Sequence, residues 1–107
     1  MQLTEKIKNE IIKRLLNLSP KKIILFGSQA TLNTHNDSDI DILVIVEFSD
    51  ESRVKRTRKA FTLLRGLETP IDILVYTEEE INYWKETPLS FVSSALSEGK
   101  VIYEQAA

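Results

Sequence analysis

The sequence predicts an α/β domain, a central sheet flanked by helices, and three observations lead there. Residues Leu3 to Leu18 carry apolar side chains at helical spacing, with charges filling the other positions. Residues Asp39 to Val46, DIDILVIV, are apolar on both alternating faces once the two carboxylates are passed, which is the pattern of a central strand covered on both sides. Strand-like runs then alternate with helix-like runs to the end of the chain.

Taken in order, Leu3, Ile7, Ile11, Leu15 and Leu18 form one stripe, and Ser19-Pro20 ends the helix because proline disfavours helical geometry in the residue before it. Lys22 to Phe26 is a short apolar run bounded by Pro20 and Gly27, hence a buried strand. The segment Thr31 to Ser38, TLNTHNDS, reads as a polar loop, and its His35 as a solvated loop histidine rather than a catalytic base. After the strand Asp39 to Val46, Ser49 or Asp50 caps a helix reaching about Leu67. Val54, Ala60, Phe61, Leu63, Leu64 and Leu67 are expected to supply its buried side, and Arg53, Lys55, Arg56, Arg58, Lys59 and Arg65 a basic exposed side. Ile71 to Tyr76 is a third strand. Thr77 and Glu80 make a capping box that opens a helix to about Lys85, with Tyr83 and Trp84 expected to pack inward. A last helix starts at Thr87-Pro88 and stops before Gly99, with Leu89, Val92, Ala95 and Leu96 as its stripe. Val101 to Tyr103 closes the chain as a short edge strand.

At 107 residues the chain is expected to form one domain, residues 1–107, with a single core. It has no cysteine, which excludes disulfides and thiolate metal sites and fits a cytoplasmic location. One histidine and no cysteine argue against zinc. No apolar run approaches the ~20 residues of a membrane span, and the N-terminus has no signal-peptide core. A net charge of −2 does not suggest direct nucleic-acid binding.

The chemistry concentrates in residues 23–46, IILFGSQATLNTHNDSDIDILVIV. Asp39 and Asp41 are two apart in a strand, so both carboxylates face the same way, roughly 7 Å apart along the chain. Like charges on one face repel, and Asp is depleted in strands. Hard divalent cations relieve such a pair, and Mg²⁺ commonly arrives with a substrate's phosphates. Turn capping accounts for Asp37 but not for Asp41, which lies inside an apolar run. Gly27 allows a sharp turn and close approach to a ligand, and a helix start at Ser28 or Gln29 would offer free N–H groups to an anion. Asp72 is a second charge set inside an apolar strand, placed after Pro70 at a strand start. Together these residues suit phosphoryl or nucleotidyl transfer.

Gly27-Ser28, ten residues, then Asp39-Ile40-Asp41 matches the GSx10DxD signature of polymerase-β-like nucleotidyltransferases. The chain resembles, over nearly its whole length, the small stand-alone minimal nucleotidyltransferases of prokaryotes. The resemblance implies the polymerase-β-like fold, a central mixed sheet flanked by helices. It implies Asp39, Asp41 and Asp72 as catalytic metal ligands for two Mg²⁺ ions, and Gly27 and Ser28 as the grip on the triphosphate of ATP. Asp72 would also take the proton of the attacking hydroxyl. Minimal members are typically paired with a HEPN-type toxin, so a hetero-oligomer is implied in which this chain, as antitoxin, adds AMP to a tyrosine hydroxyl of the toxin.

One departure stands out. Many relatives read GSRARG where this chain reads Gly27-Ser28-Gln29-Ala30-Thr31-Leu32. Gln does not replace an arginine fork on phosphate. The expectation is either a weaker hold on the triphosphate or a cation supplied by the helix around residues 53–65 or by a partner. Otherwise the chain is an antitoxin that neutralises its partner by binding alone.

Overall fold

A computed structural model of the chain describes residues 4–26, 40–67, 69–87 and 91–106. Helix α1 (Glu5–Leu15) is capped by Thr4, whose hydroxyl accepts from the Ile7 N–H at 3.1 Å. A single 3₁₀ turn, Leu16–Leu18, follows. Ser19 then adopts a left-handed conformation (φ 53°) and passes the chain into strand β1 (Pro20–Phe26). Pro20 has no N–H to donate, and the ladder is irregular between Pro20 and Lys22.

Strand β2 (Ile40–Val46) lies antiparallel to β1, crosses over through α2 (Arg53–Leu63), and is joined by β3 (Ile71–Thr77) in parallel. Helices α3 (Glu78–Trp84) and α4 (Phe91–Glu98) follow, and β4 (Lys100–Glu104) returns antiparallel to β1. The order across the mixed four-stranded sheet is β3-β2-β1-β4, which puts β4 on an edge as its short, polar-flanked sequence suggests.

Both faces of the sheet are covered. Ile40, Ile42, Val44 and Val46 of β2 pack with Ile11 and Leu15 of α1 and with Ala60 and Leu64 on the α2 side. Leu43 and Ile45 pack on the other face with Ile81 of α3 and with Val92 and Ala95 of α4. The double-sided apolar pattern of β2 therefore reflects one strand at the centre of an α/β/α sandwich.

Helix α2 differs from its sequence reading in three ways. Its cap is Ser52, not Ser49 or Asp50, with the Ser52 hydroxyl accepting from the Lys55 N–H at 3.2 Å. It ends at Leu63, and a turn through Gly66 (φ 95°) follows, a conformation that favours glycine. Its apolar residues do not share a side: Val54 and Phe61 are 66% and 46% exposed, while Ala60 and Leu64 are buried. At 3.6 residues per turn, Val54 and Phe61 point almost opposite to Leu63 and Leu67, and the sheet takes only one of the two groups. Arg56, expected on the exposed basic side, lies on the sheet side and is 7% exposed. Tyr83 and Trp84, expected to pack inward, are instead exposed and form an edge-to-face pair with centroids 4.8 Å apart. The sheet-facing position of α3 goes to Ile81. Leu3, Pro88 and Leu89 lie outside the described residues.

Gly99 is held by close approach. A Cβ there would sit 2.3 Å from the Ala95 carbonyl oxygen and 2.5 Å from Ile24 Cγ2. Gly99→Ala is therefore expected to destabilise the fold by about 1–3 kcal/mol, read as a lowered urea midpoint with unchanged slope.

Candidate active site

The ends of three strands meet at one rim of the sheet. β2 and β3 start there, and β1 finishes there. In the ladder Asp41 lies directly opposite Asp72 on the parallel strand, and opposite Phe26 on the antiparallel one. The Ile40 N–H donates to the Pro70 carbonyl at 3.0 Å, so the two strands are tied together one residue before the acidic pair. Residues level with each other in a parallel ladder point to the same face, and neighbouring strands run about 4.8 Å apart. The carboxylates of Asp41 and Asp72 are thus side by side, Asp41 half-buried and Asp72 exposed.

Asp41 and Asp72 share the face of Leu43, Ile45 and Tyr76, which α3 and α4 cover further along. Four residues on from Asp72 that face is closed over the buried Tyr76, whereas Asp72 itself is exposed. Among the described residues no lysine or arginine comes within ion-pair distance of Asp72. Two adjacent carboxylates with oxygen donors only suit a hard divalent cation such as Mg²⁺. Among the described residues no group of three acidic or histidine ligands is present. The remaining residues singled out in the sequence, Gly27, Ser28, His35 and Asp39, lie outside the described residues. Gly27 and Ser28 follow Phe26 in the chain, and Asp39 precedes Ile40.

The cations of α2 nearest to β3 are engaged at the other end of that strand. Arg56 Nη1 donates to the Val75 carbonyl at 3.1 Å and to Glu80 Oε1 at 2.8 Å, and its Nη2 donates to Glu80 Oε2 at 3.0 Å. Its Nε is buried with no partner among the described residues. Arg53 donates to the Tyr76 hydroxyl at 3.1 Å, and its guanidinium carbon lies 5.1 Å from the Tyr76 ring centroid. Val75 and Tyr76 are three and four residues beyond Asp72, roughly 10–13 Å along the strand. Arg53 and Arg56 therefore brace the far end of β3 instead of facing the acidic rim. β3 is the edge strand opposite β4, and the Arg56–Glu80 fork reaches around it from α2 on one face to α3 on the other. The same Glu80 closes the capping box, accepting from the Thr77 N–H at 2.8 Å. Sequence reasoning assigned Glu80 the cap but missed the fork. Its one signal was an arginine in line with Ala60 and Leu64 at helical spacing.

Comparison with known proteins points the same way as the rim. The family model described as Polymerase beta, Nucleotidyltransferase matches residues 5–107. A protein of Methanocaldococcus jannaschii, provisionally named a protein adenylyltransferase, is 37% identical over 83 residues, which make up 78% of this chain and 78% of that protein. A crystal structure from Sulfolobus solfataricus, provisionally described as a nucleotidyltransferase, superposes with a TM-score of 0.63 at 19% identity, covering 92% of this chain and 77% of that one. At that identity the likeness is one of fold. A chain of the toxin–antitoxin pair MntA–HpeT, in a form with two aspartates changed to glutamate, superposes with a TM-score of 0.62 at 25% identity, over 92% of this chain and 73% of that one. A toxin–antitoxin structure with AMP-PNP gives 0.56 at 26% identity, again over 92% and 73%.

Proposed function

Because this chain belongs to the polymerase-β nucleotidyltransferase family, we propose that it transfers AMP from ATP to a tyrosine hydroxyl of a HEPN-type protein toxin and so serves as the antitoxin of a pair. The observation that carries the catalytic half is the in-register pair Asp41 and Asp72 at the rim of the sheet. The protein-directed half is supported by the relative named as a protein adenylyltransferase and by the likeness to chains from toxin–antitoxin complexes.

In this reading Asp39, Asp41 and Asp72 would hold two Mg²⁺ ions, whose charge would offset that of the triphosphate and lower the pKa of the acceptor hydroxyl. Gly27 and Ser28 hold the terminal phosphates. The hydroxyl oxygen attacks the α-phosphorus, its proton passes to the Asp72 carboxylate, and the bond to the bridging oxygen of pyrophosphate breaks. The products are pyrophosphate and a tyrosine carrying AMP. The exposure of Asp72 supports a macromolecular acceptor.

Neutralisation by binding alone is the second reading. Arg53 and Arg56, two of the cations expected to compensate for the missing arginines of GSRARG, are engaged elsewhere. Intact-mass spectrometry of the protein encoded beside this chain, after incubation with it, Mg²⁺ and each NTP in turn, separates the two. The expected result is a gain of one or more AMP units with ATP, absent for Asp41→Asn. A stable complex with no gain in mass would favour binding alone.

A further inference from the structure

Helix α2 is built against local preference. Its eleven residues include five Lys and Arg and no Asp or Glu, in a chain whose net charge is −2. Arg53, Lys55 and Arg56 crowd its first turns, where the helix dipole disfavours positive charge. Lys55 stands three and four residues from Arg58 and Lys59, spacings at which like charges repel. Arg53 and Arg56 are engaged at β3, and Lys59 pairs with Glu51 at 2.7 Å. Lys55 and Arg58 have no carboxylate within ion-pair distance among the described residues.

Apolar surface is left open beside these cations. Val54 and Phe61, two turns apart, face outward from α2 with Arg58 between them, and Phe48 just before the helix is 80% exposed. Beside the turn that follows α1, a groove of about 700 Å³ runs along α2 from Lys55 to Leu63, with Leu18, Val46 and Leu63 among its apolar lining and Lys55, Arg58 and the paired Lys59 and Glu51 among its charged lining. That length is eight helical rises, about 12 Å, or roughly two turns of a second helix laid alongside. All of this lies on the sheet face opposite the one that carries Asp41 and Asp72.

We propose that the outward side of α2 and its groove dock an acidic, amphipathic segment of the protein partner, apolar side chains entering the groove and carboxylates meeting Lys55 and Arg58. The occupant is chosen by complementarity: an acidic segment relieves the repulsion stored along α2, and the aliphatic lining suits a helix-in-groove contact. The chain's overall negative charge weighs against nucleic acid. The proposal rests on the toxin-partner reading for the identity of that protein. It separates anchoring from chemistry, since the docking side and the acidic rim lie on opposite faces of the sheet.

Isothermal titration of the protein encoded beside this chain tests it, with Asp41→Asn as the parent so that no AMP transfer occurs. The parent is expected to bind with an affinity that falls as salt rises. Lys55→Glu/Arg58→Glu in that parent should weaken binding by about tenfold or more and reverse or flatten the salt dependence. Phe61→Ser should weaken it without changing the salt slope. Circular dichroism melts of each variant establish that the fold is intact. Binding by Lys55→Glu/Arg58→Glu as tight as by the parent would overturn the α2 docking side and leave the toxin partner standing. No binding by the parent would remove the partner and the docking proposal together. Binding of a single-stranded RNA oligonucleotide, lost in the double variant and unaccompanied by protein binding, would overturn the protein occupant in favour of nucleic acid.

Discussion

Asp41→Asn and Asp72→Asn should each reduce AMP transfer by about 10²- to 10⁴-fold, with the melting temperature unchanged or raised. A metal held by a carboxylate supplies several kcal/mol of transition-state stabilisation, and each 1.36 kcal/mol is a factor of ten. Asn keeps the shape of Asp but offers one neutral carbonyl where a charged oxygen pair stood. The stability expectation follows from the ladder. Asp41 and Asp72 are level neighbours on parallel strands, so neutralising either one relieves a like-charge contact that the metal-free fold has to bear. Catalytic loss together with unchanged melting distinguishes a reacting site from a structural acidic cluster. The check is single-turnover transfer of labelled AMP, with thermal melts of the same preparations. Turnover by Asp41→Asn near the wild-type rate would remove the rim from the mechanism.

The largest expected loss of stability lies at the other end of β3. Arg56→Ala should lower stability by about 3 kcal/mol and the melting midpoint by about 10–15 °C. It strips the fork from Glu80 and the donor from the Val75 carbonyl in one step. Glu80→Gln is milder, at about 2 kcal/mol, because the Glu80 side chain is 33% exposed and solvent screens part of the attraction. The pair also sets an acid limit. The Arg56 guanidinium, helped by the Thr77 N–H, holds the Glu80 carboxyl at about 2 against its ordinary 4.5, and burial opposes this only in part. A carboxylate whose pKa is depressed by folding stabilises the native state above its unfolded value and loses that stabilisation as the pH falls through the folded one. The contribution is therefore full above about pH 5 and fades between 4.5 and 2. Urea titrations at a series of pH values should show wild type and Glu80→Gln converging across that window. A constant gap down to pH 2 would mean that Glu80 acts through its shape and cap and not through its charge.

The acidic rim was legible because its residues break local rules. Asp41 and Asp72 interrupt apolar strand runs, and a charge where packing wants a β-branched side chain is visible without coordinates. The strands, the mixed sheet, the edge position of β4 and the Thr77–Glu80 cap could likewise be read from periodicity, capping residues and family resemblance. Apart from the cap and end of α2, the misreadings concern which side of a helix faces inward. Val54 and Phe61 were joined to Leu63 and Leu67 although helical geometry sets them on nearly opposite sides, and Tyr83 and Trp84 were read as packing residues. Arg56 escaped notice because five neighbouring cations made it look like one more solvated charge.

What the sequence determined by itself was the kind of chemistry. Local patterns decide which side chains alternate on a strand and which charges violate an apolar run, and those violations mark carboxylates suited to a hard cation. The tertiary structure decided which of several equivalent residues do what. Only the register of β2 on β3 puts Asp41 level with Asp72. Only the packing of α2 and α3 on opposite sides of an edge strand turns Arg56 inward to Glu80 and leaves Lys55 and Arg58 outside. Register and facing depend on contacts between segments far apart in the chain, which no local spacing encodes.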